Sequence, residues 1–330
     1  MDAVLSCMVS DSLGPGTISR TLSSELAKYL DLAGGVALRD YHRAIECSCT
    51  ALGLDRGAKV LISPLSPAAY FTVFAERAIE PVFADVDSSS PCVTEETVAA
   101  ALAAVGSVDA VVIETTIGYS PILRELDVPI VEDVSRGLGG HNGHERNGSR
   151  GDVVIVGLEP DSIITAGGGA VVLAGKRKPH TALKAAVDSF GRELFLPDMN
   201  SALGLTQIKE IESFVAKRQE IAQMFSRAMM RSRHQTPVQP GDGENVFYSF
   251  PVLLRSGMKD VATYARKNGV ESEPAFSDSI LGRYGEIESV QGWDLPNAKA
   301  WLLRCVLFPL YPMLTKKDRE LITRVLGTLP

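Results

Sequence analysis

Short apolar runs alternate with longer amphipathic segments over the first two thirds of the chain. Short runs rich in valine and isoleucine are typical of strands buried on both faces of a mainly parallel sheet. These runs are residues 60–62, 81–83, 110–113, 130–131, 153–156 and 170–173. Segments with helical spacing lie between them, such as residues 23–30 and 94–102. The alternation predicts an α/β fold, and Thr94 followed by two glutamates is typical of a helix start.

The pattern changes after the last of these runs. Apolar spacing predicts one long helix from Asp198 to about Met230. Beyond it, residues 246–329 mix strand-like and helical segments. The clearest of these are residues 247–254 for a strand and residues 316–326 for a helix. We therefore predict a large α/β domain over residues 1–215 and a small C-terminal α+β domain over residues 216–330.

Composition and charge narrow the classes of protein. The 330 residues are 45% hydrophobic and 22% charged, and the formal net charge is −7. These values are typical of a globular protein, and the negative charge disfavours a nucleic-acid binder. We expect no membrane association, because the sequence has neither a basic-then-apolar leader nor an apolar run near the ~18 residues that a spanning helix needs.

Five cysteines are present, and their spacing matches no zinc or redox motif. We interpret them as free thiols and expect a cytoplasmic protein. His141 and His144 have a spacing that could suit a metal. They lie in a stretch rich in glycine and asparagine without an evident third ligand, so we predict a solvated hairpin turn and no metal site.

Several blocks of the chain occur in an order and spacing that resembles one enzyme family. The blocks are residues 51–62, 81–87, 129–133, 201–208, 295–298 and 308–315. From about Gly14 to the C-terminus, the chain resembles the DegT/StrS-type sugar aminotransferases. The resemblance implies a pyridoxal phosphate (PLP) transferase fold of type I with a mainly parallel, seven-stranded sheet. It also implies PLP as cofactor, a homodimer formed through the large domain, and a role in nucleotide-sugar or polysaccharide biosynthesis.

The segment from residue 151 to residue 172 resembles the part of that family that anchors the cofactor. In the family, a lysine of this segment forms a Schiff base with PLP. Counting from Gly151 through Pro160 places Ser162 at the position of that lysine. A hydroxyl group cannot form an imine. The resemblance therefore implies that Ser162 is inactive in transamination and that no internal aldimine forms.

Other cofactor positions have changed as well. Asp133 matches the aspartate that pairs with the pyridine nitrogen in the family, although an aspartate that caps a turn after a strand is an alternative. Nearby, Arg136 brings a positive charge towards the cofactor face, where the family has glutamine. Gly157 replaces a serine that donates to the phosphate, and Pro67 replaces the aromatic residue that covers the ring.

The positions that bind the cofactor phosphate in the family also differ in this chain. The family begins a helix there with small residues whose donors suit a phosphate, whereas this chain has Asp40, Tyr41, His42 and Arg43. His42 and Arg43 could attract an anion with another geometry, and a solvated helix start is the alternative. Tyr70 is an aromatic residue close in sequence to Pro67, but it lies about one helical turn away from the position of the family's ring-covering residue.

The joint changes predict weak or absent PLP binding and a catalytically degenerate protein, a pseudoenzyme kept as a binding or partner protein. Two alternatives stay open. One is an active sugar aminotransferase or dehydratase-like enzyme that holds PLP or pyridoxamine phosphate (PMP) non-covalently, with Glu159, Asp161 and His42 as titratable candidates. The other is a non-catalytic subunit that pairs with an active paralogue. A nucleotide-sugar is the ligand that the resemblance implies. We expect Asp133, Arg136, Glu159 and Ser162 to line a polar pocket, in which Arg136 could pair with Asp133.

Overall fold

A seven-stranded sheet lies at the centre of the fold. The computed structural model describes residues 2–11, 13–123, 126–255 and 257–330, without the side chain of Asp2. The strands in chain order are β1 (Gly34–Leu38), β2 (Lys59–Ile62), β3 (Glu80–Phe83), β4 (Ala110–Glu114), β5 (Ile130–Asp133), β6 (His141–Asn142), β7 (Glu145–Arg146), β8 (Val153–Gly157), β9 (Ala170–Ala174), β10 (Gly243–Glu244), β11 (Phe250–Leu253), β12 (Glu273–Pro274) and β13 (Cys305–Phe308).

The central sheet has the order β1-β9-β8-β5-β4-β2-β3. β9 runs antiparallel to both its neighbours, and the pairs from β8 to β3 are parallel. The predicted α/β fold with a mainly parallel, seven-stranded sheet is therefore confirmed, and each of the six predicted runs is a strand. β1 was not predicted, because its two glycines lack the apolar pattern of the other strands. A Cβ on Gly35 would lie 2.2 Å from the carbonyl oxygen of Val172, so β1 needs a glycine to approach β9.

Helices cover the sheet and form most of the C-terminal part. In chain order they are α1 (Asp2–Val9), α2 (Thr17–Leu30), α3 (Tyr41–Leu52), α4 (Ala68–Arg77), α5 (Glu95–Val105), α6 (Arg177–Val187), α7 (Asp198–Ile208), α8 (Ile211–Met229), α9 (Met258–Lys267), α10 (Ile280–Tyr284), α11 (Glu288–Gln291), α12 (Pro296–Arg304) and α13 (Lys316–Leu326), with a 3-10 turn at Arg192–Leu194. The expected helix start at Thr94 is confirmed, because its side chain accepts a hydrogen bond from the Thr97 amide. None of the described helices is long and apolar enough to cross a membrane.

The strands are buried on both faces. Along β8, Val153 and Ile155 belong to one apolar core with α3 and α4, whereas Val154 and Val156 belong to a second core with α2. Successive side chains of a strand point to opposite faces, so a strand covered by helices on both sides is apolar throughout. This is the reason that the short valine-rich runs predicted the sheet correctly.

The prediction of one helix from Asp198 to Met230 is wrong. The chain forms a turn at Lys209 and Glu210, which separates α7 from α8. Ile211, at the start of α8, packs closely over Gly139, where a Cβ would lie 2.7 Å from Ile211 Cγ2. The turn therefore directs the first residues of α8 into the core beneath α2.

The α8 helix connects two packing units. Val215 belongs to the core with α2, whereas Ile221 and Phe225 belong to a C-terminal core with β11, β13 and α13. The proposed division into residues 1–215 and 216–330 falls on this helix and stays a prediction. Part of the C-terminal half also packs against the N-terminal half, since the indole of Trp301 donates to the Asp87 carbonyl at 2.8 Å.

Candidate functional site

Two carboxylates lie side by side at one edge of the sheet. Glu114 ends β4 and Asp133 ends β5, and the two residues are register partners in adjacent parallel strands. The carboxyl ends of parallel strands meet at the same edge, which is where α/β proteins commonly place their sites. Glu114 is 6% exposed and Asp133 is 1% exposed, so each carboxylate depends on protein groups for its partners.

Asp133 accepts hydrogen bonds on both oxygens. The hydroxyl groups of Tyr41 and Tyr70 both donate to Oδ2, the latter at 2.8 Å. The Ser135 amide donates to Oδ1 at 3.0 Å. A buried carboxylate needs such donors, and here residues from three segments of the chain supply them.

The two tyrosines reach Asp133 from the first turns of two helices. Tyr41 is the first residue of α3, and Tyr70 lies in the first turn of α4, which follows Pro67. Their rings meet edge to face with centroids 6.2 Å apart, a favourable arrangement for aromatic pairs. Burial, reinforced by the charge of Asp133, raises the pKa of both hydroxyls well above the ordinary tyrosine value, so both stay protonated as donors.

The start of α3 has its polar groups paired within the protein. The Asp40 carboxylate caps the helix by accepting from the Arg43 amide at 2.7 Å. Arg43 forms an ion pair with Glu46, and His42 Nε2 lies 3.0 Å from Glu76 Oε2. A carboxylate therefore occupies the helix end at which the resemblance implied phosphate donors, and both basic side chains contact acidic ones.

Gly157 ends β8 close to this site. Its amide donates to Ser135 Oγ at 2.8 Å. A Cβ on Gly157 would lie 2.8 Å from the same oxygen, closer than side-chain atoms normally approach. A serine at this position would therefore clash with the side chain of Ser135.

Arg136 pairs with Glu114. Its guanidinium nitrogen lies 3.9 Å from Glu114 Oε1, so the pairing with Asp133 that we considered from sequence is not formed. The guanidinium also lies over the ring of Tyr248, 5.3 Å from the centroid. The hydroxyl of Tyr248 in turn donates to Asp161, which links the end of β4 to the turn that holds Ser162.

The pKa of the Glu114 carboxyl group differs from that of a free glutamate. Burial raises its pKa to about 7, the Arg136 charge opposes this shift, and the Asp133 charge adds to it. Among the described residues, Glu114 Oε2 has no hydrogen-bond partner of normal geometry. The carboxyl group therefore changes its charge near neutral pH while it lies beside Asp133.

Ser162 is half-buried in a turn, where its amide donates to the Glu159 carbonyl at 3.0 Å. It borders a cavity of about 600 Å³ that also contacts Asp161 and Tyr248. Asp133, Arg136 and Glu159 do not line this cavity. Tyr248 contacts residues of both regions, because its hydroxyl donates to Asp161 and its ring lies beneath the Arg136 guanidinium.

Sequence reasoning missed Glu114 and Tyr248 and assigned no role to Tyr70. Glu114 had a usable signal, since it is a polar residue at the end of a buried strand, as Asp133 is. Tyr70 was named as a nearby aromatic residue, but its position is one helical turn away from that of the residue that covers the cofactor ring in the family. The role of Tyr248 comes from contacts between distant segments, for which the sequence carries no local pattern.

The His141 and His144 stretch forms the predicted turn, with β6 and β7 paired as a short hairpin. Over the described residues, no group of three or more His, Cys, Asp and Glu side chains is arranged to hold a metal ion.

The sheet order and the buried aspartate at the end of β5 define a PLP-transferase-like α/β protein. The sequence profile of the DegT/DnrJ/EryC1/StrS aminotransferase family matches residues 1–327, and the chain belongs to this family. The resemblance stated from sequence is confirmed.

Similar proteins include enzymes that act on nucleotide-linked sugars. The chain is 24% identical to the dTDP-4-dehydro-2,3,6-trideoxy-D-glucose 4-aminotransferase of Saccharopolyspora spinosa, covering 95% of this chain and 89% of that protein. It is 24% identical to the GDP-perosamine synthase of Caulobacter vibrioides, with 99% and 94% covered. The solved aminotransferase TlmJ of Streptoalloteichus hindustanus shares the fold at a TM-score of 0.86 and 22% identity, with 99% and 94% covered.

The family is PLP-dependent, and structural neighbours have been solved in PLP and PMP forms. Three positions that the resemblance matched to cofactor contacts carry other groups or other contacts in this chain. Asp133 Oδ2 already accepts from two tyrosine hydroxyls, Asp40 caps the helix end that a phosphate would need, and Ser162 offers no amine. Each of the three anchoring points is taken or altered by this chain's own side chains.

Proposed function

We propose that this chain is a pseudoenzyme of the family, which keeps the scaffold for nucleotide-sugar or polysaccharide biosynthesis but does not transfer amino groups. The observation that carries the proposal is the pair of tyrosine hydroxyls on Asp133 Oδ2. A pyridine nitrogen that approached this oxygen would have to displace both. The absence of an amine at Ser162 supports the proposal independently.

The proposal is tested by adding PLP to the purified protein. We expect no absorbance band of a protein-bound imine and no lysine adduct that borohydride can trap. Calorimetry on the same samples is expected to show weak binding or none. Tight, saturable PLP binding, or a trapped adduct on a lysine near Asp133, would contradict the proposal.

An active enzyme that holds PLP or PMP non-covalently is the second candidate. The retained and buried Asp133 favours it, as does the activity of the relatives. This candidate requires both Tyr41 and Tyr70 to leave Asp133 Oδ2 when the cofactor enters. Saturable PMP binding, together with amino transfer to a keto-sugar nucleotide, would establish this candidate and exclude the first.

We further propose a homodimer formed through the large domain. Its support is a group of exposed apolar side chains on α1 and on α7. These two helices pack against each other. The exposed side chains are Leu5, Met8, Val9, Met199 and Leu203. Exposed apolar patches of this kind commonly mark interfaces. Light scattering at micromolar concentration should give twice the chain mass, and a stable monomer would exclude the dimer.

Pairing with an active paralogue stays an alternative to the homodimer. Affinity purification from the native cell would recover a second chain of similar fold if it holds. A location in the cytoplasm, which we expect from the cysteines, stays a prediction that fractionation of the same cells would test.

A further inference from the structure

Arg136 has two carboxylates among its neighbours. Its guanidinium nitrogen lies 3.9 Å from Glu114 Oε1, at the end of β4. The guanidinium also lies over the ring of Tyr248, whose hydroxyl donates to Asp161. Burial opposes the charge of Arg136, whereas the charges of Glu114 and Asp161 both raise the pKa of its guanidinium. Since Asp161 lines the cavity beside Ser162, Arg136 and Tyr248 connect a buried carboxyl group to the cavity wall.

Hydrogen bonds do not fix the Arg136 guanidinium. Its distance of 3.9 Å to Glu114 is too long for a hydrogen bond, and its side chain forms none with the other described residues. Arg218, the other arginine close to Tyr248 and Asp161, differs in this respect. Its Nη1 donates to three backbone carbonyls at 2.8 to 3.0 Å. Arg136 is therefore the arginine of the two that is free to change its partner.

The attraction between Arg136 and Glu114 depends on the charge of Glu114. Burial raises the pKa of this carboxyl group to about 7, and Arg136, Asp133 and the hydroxyls of Ser66 and Thr116 lie beside it. Three further titratable side chains are close enough to sense its charge, namely Tyr41, Tyr70 and Cys92. Arg136 is the one cation in this set. Once protonated, Glu114 can donate to a neighbouring hydroxyl oxygen, but it no longer attracts the guanidinium.

We propose that Arg136 is a switch residue, which pairs with Glu114 while this carboxyl group is ionised and with Asp161 once it is protonated. Asp161 is exposed, so the guanidinium can reach it while it stays in contact with solvent and with the ring of Tyr248. Proton binding at Glu114 thus adds an ion pair to the turn that holds Ser162 and neutralises one carboxylate of the cavity wall. The proposal concerns the protein without PLP and does not depend on whether that cofactor binds.

The test is hydrogen exchange of the backbone amides of residues 159–165, measured by mass spectrometry at about pH 6 and about pH 8.5 without PLP. The Ser162 amide donates to the Glu159 carbonyl, so its exchange reports on the turn. After correction for the intrinsic effect of pH on exchange, protection should be about twofold to fivefold higher at the lower pH, as expected for a partly exposed ion pair. Equal protection at the two pH values would overturn the proposal.

Variants of the two carboxylates separate the switch from a change in global stability. Glu114→Gln should give the higher protection of the turn at both pH values, because the guanidinium is then released throughout. Asp161→Asn removes the second partner but leaves Glu114 to titrate. Its turn should therefore be equally protected at both pH values, while urea denaturation still shows a dependence of global stability on pH. An unchanged pH difference in the turn of Asp161→Asn would overturn the proposal, and this exposed substitution remains decisive if Glu114→Gln does not fold.

Variants of the arginine complete the test. Arg136→Gln should abolish the pH difference in the turn, and Arg136→Lys should keep part of it, because lysine retains the charge. Arg231→Gln is the matched control, since Arg231 is an exposed arginine beyond the end of α8, and it should keep the full difference. A pH difference that persists in Arg136→Gln would overturn the proposal. The PLP titration uses separate samples and decides the proposed function alone.

Discussion

The hydroxyl of Tyr70 lies 2.8 Å from Oδ2 of Asp133, at the oxygen to which Tyr41 also donates. The aspartate that the resemblance matches to the family's partner of the pyridine nitrogen is therefore engaged with the protein itself. Tyr41 begins the helix that the resemblance matches to the family's phosphate-binding helix start. Under these two matches, Tyr41 alone changes both ends of the cofactor site.

Ser162→Lys alone should not produce a protein-bound imine with PLP. The amine would be restored, but Tyr41 and Tyr70 would still engage Asp133, and Asp40 would still cap α3. The measurement is the absorbance spectrum with PLP, followed by borohydride reduction and mass analysis. Ser162→Gln is the control, since it adds a side chain of similar reach without an amine.

The triple variant Asp40→Ser, Tyr41→Gly and Ser162→Lys should bind PLP more tightly than Ser162→Lys. It restores small donors at the helix start and frees one of the two bonds on Asp133. Equal spectra for the triple and the single variant would show that Tyr41 does not obstruct the cofactor. An imine in Ser162→Lys alone would show that only the nucleophile had been lost.

Tyr70→Phe should destabilise the protein by about 1–3 kcal/mol, because it removes a donor from a buried carboxylate. Urea denaturation at pH 7 measures the change in the free energy of unfolding. Tyr264→Phe is the matched control, since its hydroxyl bonds Thr328 Oγ1 at 2.9 Å on the surface, and it should change stability by less than about 0.5 kcal/mol. Similar small effects for both variants would argue against the bond to Asp133.

Stability should fall as the pH rises through the titration of Glu114. Its pKa in the folded protein is about 7, above the ordinary value near 4.3 for a free glutamate. Between these two values the folded state binds more protons than the unfolded state, so the free energy of unfolding decreases with increasing pH. The full loss is at most about 3–4 kcal/mol and is complete above the folded pKa.

Glu114→Gln isolates this contribution. The variant should have a flatter dependence of the free energy of unfolding on pH between about 4 and 7 than the unmodified protein. Urea denaturation at intervals across this range gives both curves. Identical slopes for the two proteins would mean that Glu114 is not held in its neutral form by burial.

Gly139→Ala should destabilise the protein more than Gly143→Ala. Both glycines have a positive φ, 88° and 61°, so alanine is strained by about 1–2 kcal/mol at either position. Only at Gly139 would the new Cβ also meet Ile211, at 2.7 Å, whereas nothing lies within 4 Å at Gly143. The difference between the two midpoints of urea denaturation measures the packing of α8 onto the core. Equal losses would show that Ile211 can move aside.

The sequence by itself determined the fold class and six of the seven strands of the central sheet. The strands are buried on both faces, so their apolar runs are continuous, and helix starts such as Thr94 depend on residues within one turn. Signals that depend only on residues close together in the chain can be read from the sequence alone. Ser162 could be matched to the family's lysine position for the same reason, since the match is counted along one segment from Gly151.

The tertiary structure alone decided which side chains meet at Asp133 and at the cavity. Tyr41 and Tyr70 are 92 and 63 residues from Asp133 in sequence, and the cavity beside Ser162 joins segments from both halves of the chain. Such contacts depend on the sheet order, on the first turns of separate helices and on side-chain direction. None of these leaves a periodic pattern in the sequence, because each residue meets its partner only after the intervening chain has packed.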